Sequence, residues 1–106
     1  MWDVREAAQA IQTFIAGIDA TGFDANPMAQ AAVERKFEVI GEALNLLSKL
    51  DAGLAARIPD LAKIVAFRNQ LIHGYATVNT RTVWHIARES LPQLTANVQA
   101  LLDELQ

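Results

Sequence analysis

The 106-residue chain contains no cysteine. That excludes disulfide staples, thiolate zinc sites and cysteine nucleophiles together, leaves packing as the source of stability, and agrees with a reducing compartment. Glycine and proline are scarce, five and three, and they fall between periodic segments, where breaks belong. No apolar run approaches the roughly 18 to 20 residues that span a bilayer, and Met1 to Glu6 carries Asp3 and Glu6 where a secretory leader would be basic. A cytoplasmic protein without a membrane segment is expected. Strand-like alternation, internal repeats and low-complexity stretches are missing too. No cluster of His, Asp and Glu stands at a metal-ligand spacing, so neither a metal nor another cofactor is expected. The net charge of −3 weighs on its face against a nucleic-acid binder, because phosphate recognition usually leaves a basic footprint.

What the chain does have is apolar surface, 52 % hydrophobic against 20 % charged residues, at a length that suits one domain over residues 1–106. Apolar residues recur at three and four, the period of a helix with one buried face. The first helix is predicted from Asp3 to Ala20 through Val4, Ala7, Ile11, Phe14 and Ile18, with Gly22 as the stop. The second begins with Asn26 as N-cap and Pro27 at the first helical position and runs to Leu50 through Val33, Phe37, Ile40, Leu44 and Leu47. The third runs from Asp60, a capping residue, through Leu61, Ile64, Val65, Leu71 and Ile72 to Gly74. One extra short turn is expected between Asp51 and Pro59. The fourth follows Asn79 or Thr80, with Trp84, Ala87, Leu91, Leu94, Val98, Leu101 and Leu105 on one seam and a kink at Pro92. These elements predict an all-α, up-and-down four-helix bundle.

The second helix carries a further apolar stripe of Met28, Ala32, Val39, Ala43, Leu46 and Leu50. The two stripes cover about half of the wheel, more than the roughly 100° that a peripheral bundle helix buries. The surplus points to self-association; the alternative is a helix sunk deeper in a monomeric core.

The stretch Phe67-Arg68-Asn69-Gln70-Leu71-Ile72-His73-Gly74-Tyr75 is chemically odd. At about 100° per residue, Arg68 falls amid Leu61, Ile64, Val65, Leu71 and Ile72, where a leucine would pack. A guanidinium cannot shed its charge, so burying it calls for a carboxylate, a carbonyl cluster, water or an anionic ligand. Glu38 and Glu42 are the intramolecular candidates. His73, five residues on, belongs to the residue type that exchanges protons near neutrality, and Tyr75 adds a hydroxyl. A regular helix would point Arg68 and His73 about 140° apart, so they converge only if the helix ends there or two copies of the motif face each other. Taken singly, a histidine at a helix end answers the dipole and a tyrosine packs as a half-buried ring.

Arg68-Asn69-Gln70-Leu71-Ile72-His73-Gly74-Tyr75 resembles the R-x4-H-x-Y signature of HEPN domains, with the polar residue after the arginine present as Asn69. The HepT-like branch is similar over nearly the whole chain. Ala32 to Ala43 resembles its second-helix motif ending in I-G-E-A, here Ile40-Gly41-Glu42-Ala43, and Val83-Trp84 with Leu91-Pro92 resembles its last helix. Leu61 departs from it, standing where many members have tryptophan. The resemblance implies a metal-independent endoribonuclease, the toxin of a type VII-like toxin–antitoxin pair. It also implies a homodimer whose two signatures line one cleft, and an antitoxin that is a minimal nucleotidyltransferase adding AMP to Tyr75. On this reading His73 is the general base on an RNA 2′-hydroxyl, Arg68 neutralises the phosphoryl oxygens, and Asn69 orients the phosphate or the imidazole.

Charge is unevenly spread along the chain. Gly53 to Ser90 holds Arg57, Lys63, Arg68, Arg81 and Arg88 against Asp60 and Glu89, a balance of +3, and the remainder is at −6. Arg81, His85 and Arg88 recur at four and three on the fourth helix, a cationic edge that serves either as RNA contacts or as a solvated face. Two rivals to the nuclease reading are a non-catalytic, substrate-presenting partner of a nucleotidyltransferase and a plain helical dimerisation domain. Arg68 and His73 together argue against the first, and a charged residue on the apolar face argues against the second.

Overall fold

The computed structural model describes residues 2–73 and 79–105. They order into α1 (Trp2–Ile15), α2 (Ala20–Asp24), α3 (Pro27–Leu50), α4 (Ala52–Ala55), α5 (Leu61–Ile72), α6 (Thr80–His85), a π-helical turn (Ile86–Ser90) and α7 (Leu91–Glu104), with no strand among the described residues. Four rods, namely α1, α3, α5 and α6 running through the π turn into α7, make the expected all-α bundle. The long α3 is its centre, packed by both α1 and α5, while α7 closes on α1 and α2 lies against α6.

Local chemistry sets most of the ends. Asn26 accepts from the Ala29 N–H at 3.0 Å ahead of Pro27, so α3 starts and stops where the sequence predicts. Asp51 caps α4, the expected extra turn, by accepting from the Leu54 N–H at 3.0 Å, and Asn79 caps α6 through the Arg81 N–H at 2.8 Å. Asp60 departs from expectation. Its backbone carbonyl accepts from the Ile64 N–H, but its side chain makes no capping bond.

The first helix is shorter than its periodicity suggests. It ends at Ile15 because Gly17 takes a φ of 81°, which reverses the chain at little cost only for glycine. A new helix, α2, then starts at Asp19, whose carboxylate accepts from the Gly22 N–H at 2.7 Å, so Gly22 lies inside a helix rather than ending one. The break sends fully buried Phe23 against Trp84, with ring centroids 5.3 Å apart, and leaves Phe14 39 % exposed. At Pro92 the helix widens into the π turn instead of breaking, and the Leu91 N–H bonds to Ile86 O, five residues back. The wider turn makes room for a ring that would otherwise clash with the preceding turn.

Phe23, Phe37, Ile11, Ile40, Leu44, Ile64, Leu91 and Leu94 form the fully buried heart of the core. Phe37 of α3 meets Phe67 of α5 edge-on at 5.2 Å, a favoured aromatic geometry that fixes the α3–α5 contact just before Arg68. The surplus stripe of α3 is divided: Val39 and Ala43 pack against the core from its edge, while Met28, Leu46 and Leu50 are exposed. A groove of about 360 Å³ between α1 and α3 is lined by Asp3, Val39, Glu42, Ala43, Leu46, Leu47 and Leu50.

Candidate active site

Arg68 sits on the face of α5 that meets α3, half-buried as its place on the wheel requires. Its aliphatic stem lies on the backbone of α3 at Gly41, a close approach open only to a residue without a side chain. Neither Glu38 nor Glu42 pairs with it, and no carboxylate among the described residues does. The guanidinium Nη1 donates to Asn69 Oδ1 at 2.9 Å, and Nε is buried without a hydrogen-bond partner. Arg5 Nε is similarly orphaned, but Arg5 has Gln99 Oε1 at 3.3 Å, Glu6 at 4.0 Å and the Trp2 ring at 3.8 Å. A buried donor left unpaired costs about 1–3 kcal/mol, so Arg68 is set to gain from an anion that reaches it.

Asn69 joins the two ends of the motif. Its side-chain oxygen holds Arg68, and its backbone carbonyl accepts from the His73 N–H at 3.1 Å. Its side chain therefore orients the arginine. α5 stops at Ile72 and His73 is its C-cap, exposed at the end of the helix. The helix ends there, as the first of the two conditions for bringing Arg68 and His73 together asks, but the His73 N–H keeps its helical bond to the Asn69 carbonyl, so the ending does not by itself turn His73 toward Arg68. Tyr75 and the expected stop at Gly74 lie outside the described residues.

The cationic edge is exposed but not uniform. Arg81 Nε is bound to Asp24 Oδ2 at 2.8 Å, and Thr80 Oγ1 donates to Asp24 Oδ1 at 2.7 Å. The Thr80 hydroxyl and then the Arg81 guanidinium hold the Asp24 carboxyl below the usual range. Arg88 stands over the Trp84 ring at 5.4 Å, and His85 is exposed between the two arginines. Of the five basic residues from Gly53 to Ser90, Arg57 and Arg81 are paired with Glu104 and Asp24. Lys63, Arg68 and Arg88 have no carboxylate partner among the described residues, with Lys63 Nζ donating to Ser90 Oγ at 3.3 Å. Among the described residues, no three His, Asp or Glu side chains gather where a metal ion could sit, and no helix is long and apolar enough to cross a membrane.

Gly41 and the Asp24–Thr80–Arg81 clasp are what sequence reasoning missed. The clasp joins positions 56 and 57 residues apart, without a local signal. Gly41 did leave one, since a glycine inside a helix costs about 1 kcal/mol against alanine and so asks for a reason.

This all-α bundle has the architecture of a HEPN-like domain. The family model described as Ribonuclease HepT-like matches residues 4–101, and the chain belongs to that family. Its curated relatives include a candidate RNase of Methanocaldococcus jannaschii, 30 % identical over 101 residues that cover 93 % of this chain and 90 % of that protein. A probable ribonuclease HepT of Thermococcus cleftensis is 31 % identical over 99 residues, 93 % of this chain and 89 % of its own. A candidate RNase of Caldanaerobacter subterraneus subsp. tengcongensis is 31 % identical over 90 residues, 85 % and 80 %. No solved structure matches the chain at a significant level. Membership makes the chain an endoribonuclease and RNA its substrate.

Proposed function

We propose that this ribonuclease is the toxin of a toxin–antitoxin pair and cuts RNA through its own side chains, without a metal. The reading rests above all on Arg68: a half-buried guanidinium with an orphaned Nε and no carboxylate partner among the described residues, five residues before the histidine that caps α5. A phosphodiester supplies the oxyanion that such a group lacks. His73 takes the proton of the 2′-hydroxyl, the 2′-oxygen attacks the adjacent phosphorus, the 5′-oxygen departs, and a 2′,3′-cyclic phosphate remains. Arg68 stabilises the charge that grows on the phosphoryl oxygens, with Asn69 holding its guanidinium. The second protomer's His73 protonates the leaving oxygen in a homodimer, for which the exposed Met28, Leu46 and Leu50 of α3 offer an apolar face. Arg81, His85 and Arg88 extend the RNA track, Arg81 after exchanging Asp24 for phosphate. A minimal nucleotidyltransferase silences the toxin by adding AMP to Tyr75.

General acid–base help is worth roughly 10² to 10⁴ in rate. His73→Ala is therefore expected to lose about that factor in cleavage of an RNA oligonucleotide and to relieve growth arrest on expression, with its helical circular dichroism intact. Wild-type cleavage by His73→Ala, or cleavage abolished by EDTA, would overturn this mechanism. A folded wild-type chain that cuts nothing would favour the non-catalytic, substrate-presenting partner instead. Mass spectrometry after co-expression with the neighbouring nucleotidyltransferase checks Tyr75 for an added AMP.

A further inference from the structure

Glycine is the poorest helix former after proline, yet Gly41 stands buried near the middle of the 24-residue α3. A Cβ built there would overlap Arg68 Cβ, lie 2.5 Å from Cγ and stand 3.3 Å from Cδ. None of these is the free end of a flexible chain. Cβ and Cγ follow the α5 backbone, which the edge-on contact of Phe37 with Phe67 holds against α3 just before Arg68. A side chain at position 41 fits only if α5 lifts off α3 or the arginine stem turns away. The other described glycines have no such close neighbour: Gly17 has nothing within 4 Å, Gly22 has the Asp19 carboxylate at 3.2 Å and Ile18 no nearer than 3.6 Å, and Gly53 has the Asp51 carboxylate at 3.6 Å.

We propose that Gly41 is a positioning residue for RNA cleavage. The missing side chain lets the Arg68 stem lie on the α3 backbone, and that seat fixes where the guanidinium meets the phosphate. The inference rests on Arg68 contacting phosphate as in the reading above. Packing alone would account for a glycine anywhere in a tight helix contact, but here the atoms it admits are those of Arg68, a charged side chain with no carboxylate partner among the described residues. Misplacing a reacting group by about 1 Å can cost on the order of 10²-fold in rate.

The test uses the full chain as wild type, Gly41→Ala, Arg68→Ala, Arg68→Gly and the double variant Gly41→Ala with Arg68→Gly, with a single-stranded RNA oligonucleotide as substrate. Affinity is read at several salt concentrations with His73→Ala in each background, so that the RNA stays whole. Gly41→Ala is expected to remain helical and to lose roughly 10- to 100-fold in kcat. Its salt slope should fall toward that of Arg68→Ala, which drops by about 0.7 for one lost single-strand phosphate contact. Adding Gly41→Ala to Arg68→Gly, which lacks the overlapping Cβ as well as the guanidinium, should change neither rate nor slope further. A wild-type kcat for folded Gly41→Ala, or a Gly41→Ala loss that is equally large with Arg68 already removed, overturns the proposal. Should Gly41→Ala fail to fold, the double variant Gly41→Ala with Arg68→Gly removes the overlapping stem; recovery of a cooperative melt upholds the contact and no recovery overturns it. If Arg68→Ala alone cleaves and binds as wild type does, the phosphate role of Arg68 falls and this inference with it. If only the Gly41→Ala expectation fails, the ribonuclease reading stands.

Discussion

Arg68 occupies a place where an apolar side chain would be more stable. Replacing a buried, imperfectly satisfied charge by an apolar group of similar volume is often neutral or stabilising, and methionine keeps the stem that lies on Gly41. Arg68→Met is therefore expected to melt at or above the wild-type temperature while losing roughly 10² to 10³ in kcat, as when an oxyanion donor is removed. A lower melting temperature together with unchanged cleavage would mean that the arginine serves the fold. The wheel position of Arg68 was legible in the sequence, because it depends only on helical period. Its lack of a carboxylate was not, because Glu38 and Glu42 are at suitable spacings on α3 and only the rotation of α3 against α5 leaves them unpaired. The sequence offers Asn69 as orienting a phosphate or the imidazole, and in the fold its side chain holds Arg68 while its backbone carbonyl accepts from the His73 N–H.

α2 and α6 are held together by the clasp in which Asp24 accepts from Thr80 and Arg81. Because the folded state holds the Asp24 carboxyl below its ordinary value of 3.8, the clasp stabilises the fold above that pH, and its contribution is lost as pH falls through the lowered value. The melting-temperature gap between wild type and Asp24→Asn should therefore be full near neutrality and vanish in acid. A gap that persists unchanged below the folded-state value would show that the carboxylate charge is not what joins the helices. The Asn26 cap and the start of α6 after Asn79 were readable because each rests on a side chain accepting from a backbone N–H two or three residues away. The end of α1 was not, since the apolar period continues through Ile18 past Gly17. The choice of Gly17 over Gly22 follows from what α2 packs against, Trp84, far along the chain.

The bundle leaves its central helix with an uncovered apolar side, at Met28, Leu46 and Leu50. If a second copy covers it, Leu46→Asp with Leu50→Asp should convert a dimer into an 11.6 kDa species in sedimentation at micromolar concentration, with helical content retained. A wild-type chain that already sediments as that species removes the dimer. Charge is also divided at this level: the overall −3 conceals a basic segment around the signature, and among the described residues the fold pairs its Arg57 and Arg81 with acids but not Lys63, Arg68 or Arg88. The amino-acid sequence by itself determined the four helical rods, both ends of α3 and the residues of the signature, because period, caps and composition act within a few residues. Only the tertiary structure decided that Arg68 meets no carboxylate among the described residues, that Gly41 seats its stem and that Met28, Leu46 and Leu50 stay outside the core, because those depend on how α3 is rotated and pressed against its neighbours.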